Sequence, residues 1–117
     1  MIAVVLERGP EWNPELPLAW QAGFEEHVAL ITSLLGQGVA IEAGPFSDPS
    51  VLVDEDLLAL ALLDLDSVGA ARALFASDPL VSGKVVSLHA HEWGGTTLRR
   101  ASERESVLPG RPGSVRE

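Results

Sequence analysis

Between Leu57 and Leu63 the chain reads Leu-Leu-Ala-Leu-Ala-Leu-Leu, with no polar side chain at either alternation. This run is far short of the roughly twenty residues a membrane-spanning helix needs, and its length suits a strand buried on both faces. A second run, Ile2-Ala3-Val4-Val5-Leu6, has the same character and stops at Arg8-Gly9-Pro10. Two strands of this kind belong in the middle of a sheet, with a layer against each face.

The rest of the chain supplies the partners. Ile2 to Glu7 is the first strand, and Glu11 to Pro17 is a proline-rich loop. A helix is expected from about Leu18 to Gln37, because Trp20, Phe24, Val28, Ile31 and Leu35 recur at spacings of three and four. Gly36 and Gly38 bracket its end. Val39 to Phe46 is the second strand, interrupted at Gly44-Pro45, and an acidic turn region runs from Ser47 to Asp56. The third strand covers Leu57 to Leu65. Asp66-Ser67 offers an N-cap for a short helix over Val68 to Ala76, and Pro79 keeps Asp78 out of helical geometry. Lys84 to Trp93 is the fourth strand, with Val86, Leu88 and Ala90 on one face and Ser87, His89 and His91 on the other.

The order βαββαβ is two similar halves and predicts an α+β, ferredoxin-like sandwich: a four-stranded antiparallel sheet with two helices on one face. In that topology the first and third strands are central, which matches their two-sided apolar pattern. The helices cover one face alone. The other face therefore calls for a second layer, and a second copy of the same chain, sheet against sheet, gives a two-fold homodimer. The alternative is a C-terminal tail folded back over the sheet through Leu98, Val107 and Leu108.

Charge and composition narrow the partners. Residues 1–93 hold three basic side chains against fourteen acidic ones, and residues 94–117 hold five arginines against three glutamates. Such a body repels phosphate backbones, so neither nucleic acid nor a membrane is expected as a partner. Hydrophobic residues make up 46% of the 117-residue chain, enough for one modest core: a domain over 1–93 and a polar, arginine-rich tail over 94–117. With no cysteine there is no disulfide framework and no thiolate nucleophile. The N-terminus reads as a strand and lacks a basic flank or cleavage site, which suggests a cytoplasmic protein.

Several of these segments form a pattern. His27 sits in the middle of the first helix, and Gly-Val-Ala-Ile-Glu-Ala-Gly-Pro spans residues 38–45. Ser77-Asp78-Pro79-Leu80-Val81 follows the second helix, and the last strand ends at Trp93. This ordered set resembles the YCII-related family of small proteins with a dimeric α/β-barrel arrangement, over about residues 1–93. The resemblance implies an active pair of histidine and aspartate, carried by His27 and Asp78. It also implies relatives that act on ring-derived, oxygenated small molecules by elimination or isomerisation. The loop at Glu11 to Pro17 and the tail depart from that pattern.

The residues bear separate readings too. His27 lies near the centre of the apolar arc, where a ring that titrates near neutrality suits proton transfer, or where it simply bonds backbone. Asp78, at the end of a helix, is positioned to accept from the His27 ring, or to serve only as an Asp-Pro turn residue. His89 and His91 share one face of a strand, but two ligands alone do not make a metal site, and Glu92 points the other way. His89 is instead a candidate for the polar part of a substrate pocket. Arg8 could hold a substrate carboxylate with its planar fork, or a surface glutamate. Gly44 and Pro45 would shape a pocket rim, while Trp12, Trp20 and Trp93 are expected to pack. No phosphate-binding glycine loop or serine nucleophile elbow is present, and no cofactor is implied. The expected function is a cofactor-free acid–base enzyme for a small oxygenated metabolite. A non-catalytic dimeric module that holds a small ligand is the alternative.

Overall fold

The computed structural model describes residues 1–52 and 54–94. The two apolar runs lie side by side as the inner strands of one antiparallel sheet. They are β1 (Ile2–Arg8) and β3 (Leu57–Leu63), flanked by β2 (Ala40–Pro45) and β4 (Val86–Glu92) in the order β2-β3-β1-β4. Ile2 opposes Leu63 and Val4 opposes Ala61 on one side of β1, and Val4 opposes Ala90 on the other. This is the ferredoxin-like α+β arrangement expected from the element order.

Three helices cover one face: α1 (Phe24–Gly36), α2 (Val68–Phe75) and a single turn, α3 (Pro79–Ser82). Between them and the sheet lies the core, in which Ile2, Val4, Leu63, Phe75 and Leu80 are almost fully buried. Ser67 caps α2 by accepting from the Ala70 amide at 3.0 Å. The opposite face of the sheet carries Ala3, Val5, Leu60 and Leu62 at alternate positions, half-buried with no helix against them. His89 and Glu7 sit on that same face, 3.2 Å apart.

Three expectations need correction. The long helix from Leu18 to Gln37 is broken: Leu18–Trp20 forms a 3₁₀ turn, and α1 begins only after Gly23, whose φ of 94° is left-handed. That break turns the buried stripe of α1 onto His27, Leu30, Ile31 and Leu34, leaving Val28 and Leu35 at 43% and 41% exposure. The tryptophans divide as well. Trp12 packs on the core, whereas Trp20 (70% exposed) and Trp93 (43% exposed) face outward, Trp20 because it precedes the helix that was to bury it. Asp78, finally, is not at the C-terminus of α2. It caps the N-terminus of α3, where its side chain accepts from the Leu80 amide, so the sign of its interaction with the local backbone is reversed.

No helix among the described residues is long and apolar enough to cross a membrane. The tail expected from residue 94, together with its apolar residues Leu98, Val107 and Leu108, lies beyond residue 94 outside the described residues.

Leu63 has no exposed surface and pairs with Ile2 and Ala40. Leu63→Ala should lower stability by about 2–5 kcal/mol in urea unfolding, and a loss well under 1 kcal/mol would contradict its central position in the core.

Candidate active site

The first turns of α1 bring His27 over the sheet, and the turn into α3 brings Asp78 up to meet it. Nδ1 of His27 lies 2.5 Å from Oδ2 of Asp78. The other carboxylate oxygen, Oδ1, accepts from the Leu80 amide at 2.9 Å. The Asp78 side chain has no exposed surface and that of His27 retains 10%. Among the described residues no lysine or arginine forms an ion pair with Asp78, so the imidazole is its one cationic candidate.

Gly23 permits this approach. A Cβ at Gly23 would lie 2.8 Å from the Cβ of Pro79 and 3.1 Å from the amide nitrogen of Leu80. The start of α1 therefore rests directly on the turn that holds Asp78, and only a residue without a side chain fits there. Its left-handed φ adds a second reason for glycine. From Gly23 one turn of helix leads to His27, whose amide donates to the Gly23 carbonyl at 3.0 Å.

His27 also lines a cavity of about 200 Å³ between α1 and the sheet. Val4, Leu6 and Ala61 form part of its floor, Ile31 and Phe24 part of its roof, and Phe75 closes one side. Of its lining side chains only His27 and Thr32 are polar. Gly44 and Pro45 line the same cavity from the edge strand. Near them Pro49 reaches the cavity from the acidic loop, and Leu18 from the 3₁₀ turn. The two segments are tied by the Ala19 amide donating to the Pro49 carbonyl at 2.8 Å. Asp48 shapes that loop by accepting from the amide and the hydroxyl of Ser50, which hold its carboxyl below the usual carboxylate range.

The other sequence candidates do not line the cavity. His89 faces away from the cavity, against Glu7 on the uncovered side of the sheet. Arg8 lies on the helix-covered face, two residues beyond Leu6, with its guanidinium 5.3 Å from the centre of the Trp12 ring. Among the described residues no group of three metal-ligating side chains gathers.

Sequence reasoning missed Gly23, Thr32 and Pro49. Gly23 carried a readable signal, since a glycine inside an expected helix marks a break. Asp78-Pro79 carried one too, because an aspartate followed by proline is the N-cap and first position of a new helix. The cavity's apolar wall had no signal apart from core periodicity.

No family model matches the chain, and no curated protein does. Among solved structures it is similar to the 5-chloro-2-hydroxyhydroquinone dehydrochlorinase of Burkholderia phenoliruptrix AC1100, in complex with 2,5-dihydroxybenzoquinone. The two share 12% identity over 80% of this chain and 93% of that one, with a TM-score of 0.50. At this identity the likeness concerns the fold.

Gly23→Ala should cost about 1–3 kcal/mol in thermal or urea unfolding and shift the His27 ring resonances, since the new methyl must displace Pro79. An Ala variant of wild-type stability with unchanged His27 resonances would show that the close approach is not needed.

Proposed function

We propose that the chain is a cofactor-free acid–base enzyme in which His27 transfers a proton and Asp78 orients it. The observation that carries this reading is the buried contact between the two side chains at the wall of a partly open, apolar cavity. The ordered motifs and the sheet topology further support membership of the YCII-related family.

The chemistry follows from the donors. A carboxylate can only accept, so the Nδ1–H of His27 donates to Asp78, and in the neutral imidazole Nε2 is the nitrogen with a free lone pair. Nε2 is then the base for a molecule in the cavity, and Asp78 stabilises the imidazolium that forms. In the proposed reaction Nε2 takes a proton from carbon next to a carbonyl or enol. The electron pair of that C–H bond enters a new double bond. In elimination a leaving group on the neighbouring carbon departs with its own electron pair. In isomerisation the imidazolium returns the proton to another atom of the conjugated system. An apolar wall that keeps out water strengthens the His27–Asp78 interaction at each step.

Size points to the substrate class. A cavity of roughly 150 Å³ accepts a benzene-sized molecule. About 200 Å³ therefore suits a single ring with a few oxygen substituents. The dehydrochlorinase of similar fold is a precedent for such a molecule on this architecture. The same cavity would equally suit a module that holds its ligand unchanged, and the nearly all-apolar lining favours that as the second reading.

The functional unit in this proposal is a homodimer. Ala3, Val5, Leu60 and Leu62 form an apolar band on the sheet face that no helix covers, and a second copy is the partner whose surface matches it. In solution the wild type should sediment as a two-chain species and Val5→Glu as a folded single chain. A monomeric wild type at micromolar concentration would overturn the dimer.

For the chemistry, hydroxylated quinones and cyclic enols are incubated with the protein and followed by mass spectrometry. Turnover should fall by about 10²–10⁴ in His27→Gln and be reduced in Asp78→Asn. Unchanged turnover in His27→Gln would exclude the acid–base role. Recovery of a tightly bound ligand without chemical change would favour the binding module.

A further inference from the structure

Arg8 is the one basic side chain on the face of β1 that carries the cavity floor. Val4 and Leu6 line the cavity, and Arg8 follows at the next position of the same alternation. Residues 1–93 contain fourteen carboxylates and only three basic groups. Even so, the ion pairs among the described residues are His27–Asp78 and His89–Glu7, and no described carboxylate comes within 4.0 Å of Arg8. An arginine amid such an excess of acid, with no ion pair among the described residues, is held away from those carboxylates by the fold.

Trp12 does the holding. The central carbon of the guanidinium lies over its ring, 5.3 Å from the centre, a cation–π contact. The Nε of Arg8 and the Nε1 of Trp12 are both sealed from solvent with no hydrogen-bond partner among the described residues. Arg8's terminal nitrogens make no hydrogen bond among the described residues either. Two polar side chains with unmet donors, packed together, form an unbalanced arrangement in a native fold, and an acceptor with two oxygens would relieve it. The loop that carries Trp12 is itself braced. Gln21 accepts from the Asn13 amide at 3.1 Å and donates to the carbonyls of Asn13 and Leu16, both at 2.8 Å, and Gly9 and Glu11 donate to the start of the β4 edge. The donors are thus presented from a fixed frame one alternation beyond Leu6, which lines the cavity.

We propose that Arg8, backed by Trp12, is an anion subsite that receives the carboxylate of a planar cyclic acid whose ring occupies the cavity beside His27. This deepens the acid–base reading and rests on it for the identity of the cavity as the substrate site. The carboxylate end would set which ring carbon faces Nε2, so Arg8 is a specificity-determining residue and not a proton-transfer group.

The test compares benzoate with benzamide, two planar rings that differ in charge, titrated into the full chain and followed by NMR with the Trp12 indole N–H as reporter. Benzoate should bind at least about ten-fold more tightly and shift that resonance, as one charge-assisted pair implies. Arg8→Gln should abolish the preference while leaving benzamide affinity unchanged, and His27→Gln should keep it. Equal affinities in the wild type, or no binding of either up to about 10 mM, would overturn the subsite without requiring any variant to fold. Loss of the preference in His27→Gln but not in Arg8→Gln would also overturn it, because the imidazolium would then be the anion's partner. A preference that depends on Arg8 in a protein that turns over no cyclic acid would leave the subsite standing and remove the catalytic reading instead.

Discussion

A carboxylate as deep as that of Asp78 is tolerable only if both oxygens are occupied, and here each is occupied by a different element of the fold. Oδ1 takes the Leu80 amide and so forms the turn that begins α3. Oδ2 meets Nδ1 of His27 and so ties that turn to α1. Removing either partner would leave a buried acceptor unmet. The position of α1 over the sheet, and with it the cavity between them, is therefore coupled to the orientation of one imidazole. Gly23 lets the two segments approach closely enough for the coupling to exist.

The sheet imposes a second constraint. β1 and β3 are apolar on both alternations, but α1, α2 and α3 lie against one side. Ile2, Val4, Leu63 and Ala61 are buried by the helices, while Ala3, Val5, Leu60 and Leu62 gain only the partial cover of their strand neighbours. Burial of apolar area is the main driving force in both folding and association, so the proposed homodimer would draw on this face as the core draws on the opposite one. The His89–Glu7 pair sits at the edge of that band, on the side remote from the cavity.

Particular residues show how much of this was readable in advance. The alternation of Val86, Leu88 and Ala90 against Ser87, His89 and His91 defines both faces of β4 in the sequence itself, because a period of two survives in any sheet environment. Helix periodicity was less safe. The stripe through Trp20, Val28 and Leu35 fitted a helix beginning at Leu18, but Gly23 starts the helix later and the buried face falls on His27 and Leu34. The glycine was a readable sign of a break but did not decide it, since a helix interior tolerates one glycine at a cost, and only the close contact with Pro79 shows why no side chain fits there. The aspartate before Pro79 was read as an end when it is also a beginning, and one four-residue turn made the difference.

From its own residues the chain determined the element order, the central place of the two apolar strands and the apolar character of both their faces, while the candidacy of His27 and Asp78 as a pair came from the resemblance of its ordered motifs to the YCII-related family. Those properties depend on periodicity and on the chemistry of single side chains, which are written locally. Only the tertiary structure decided that residues 51 positions apart share a 2.5 Å contact and that a cavity opens beside one of them. It likewise decided that Arg8 rests on Trp12 away from every described carboxylate, while His89 belongs to the opposite face. Distances between elements come from how helices seat on a twisted sheet. That seating sums many small packing contacts over the whole core, and no short stretch of sequence contains them.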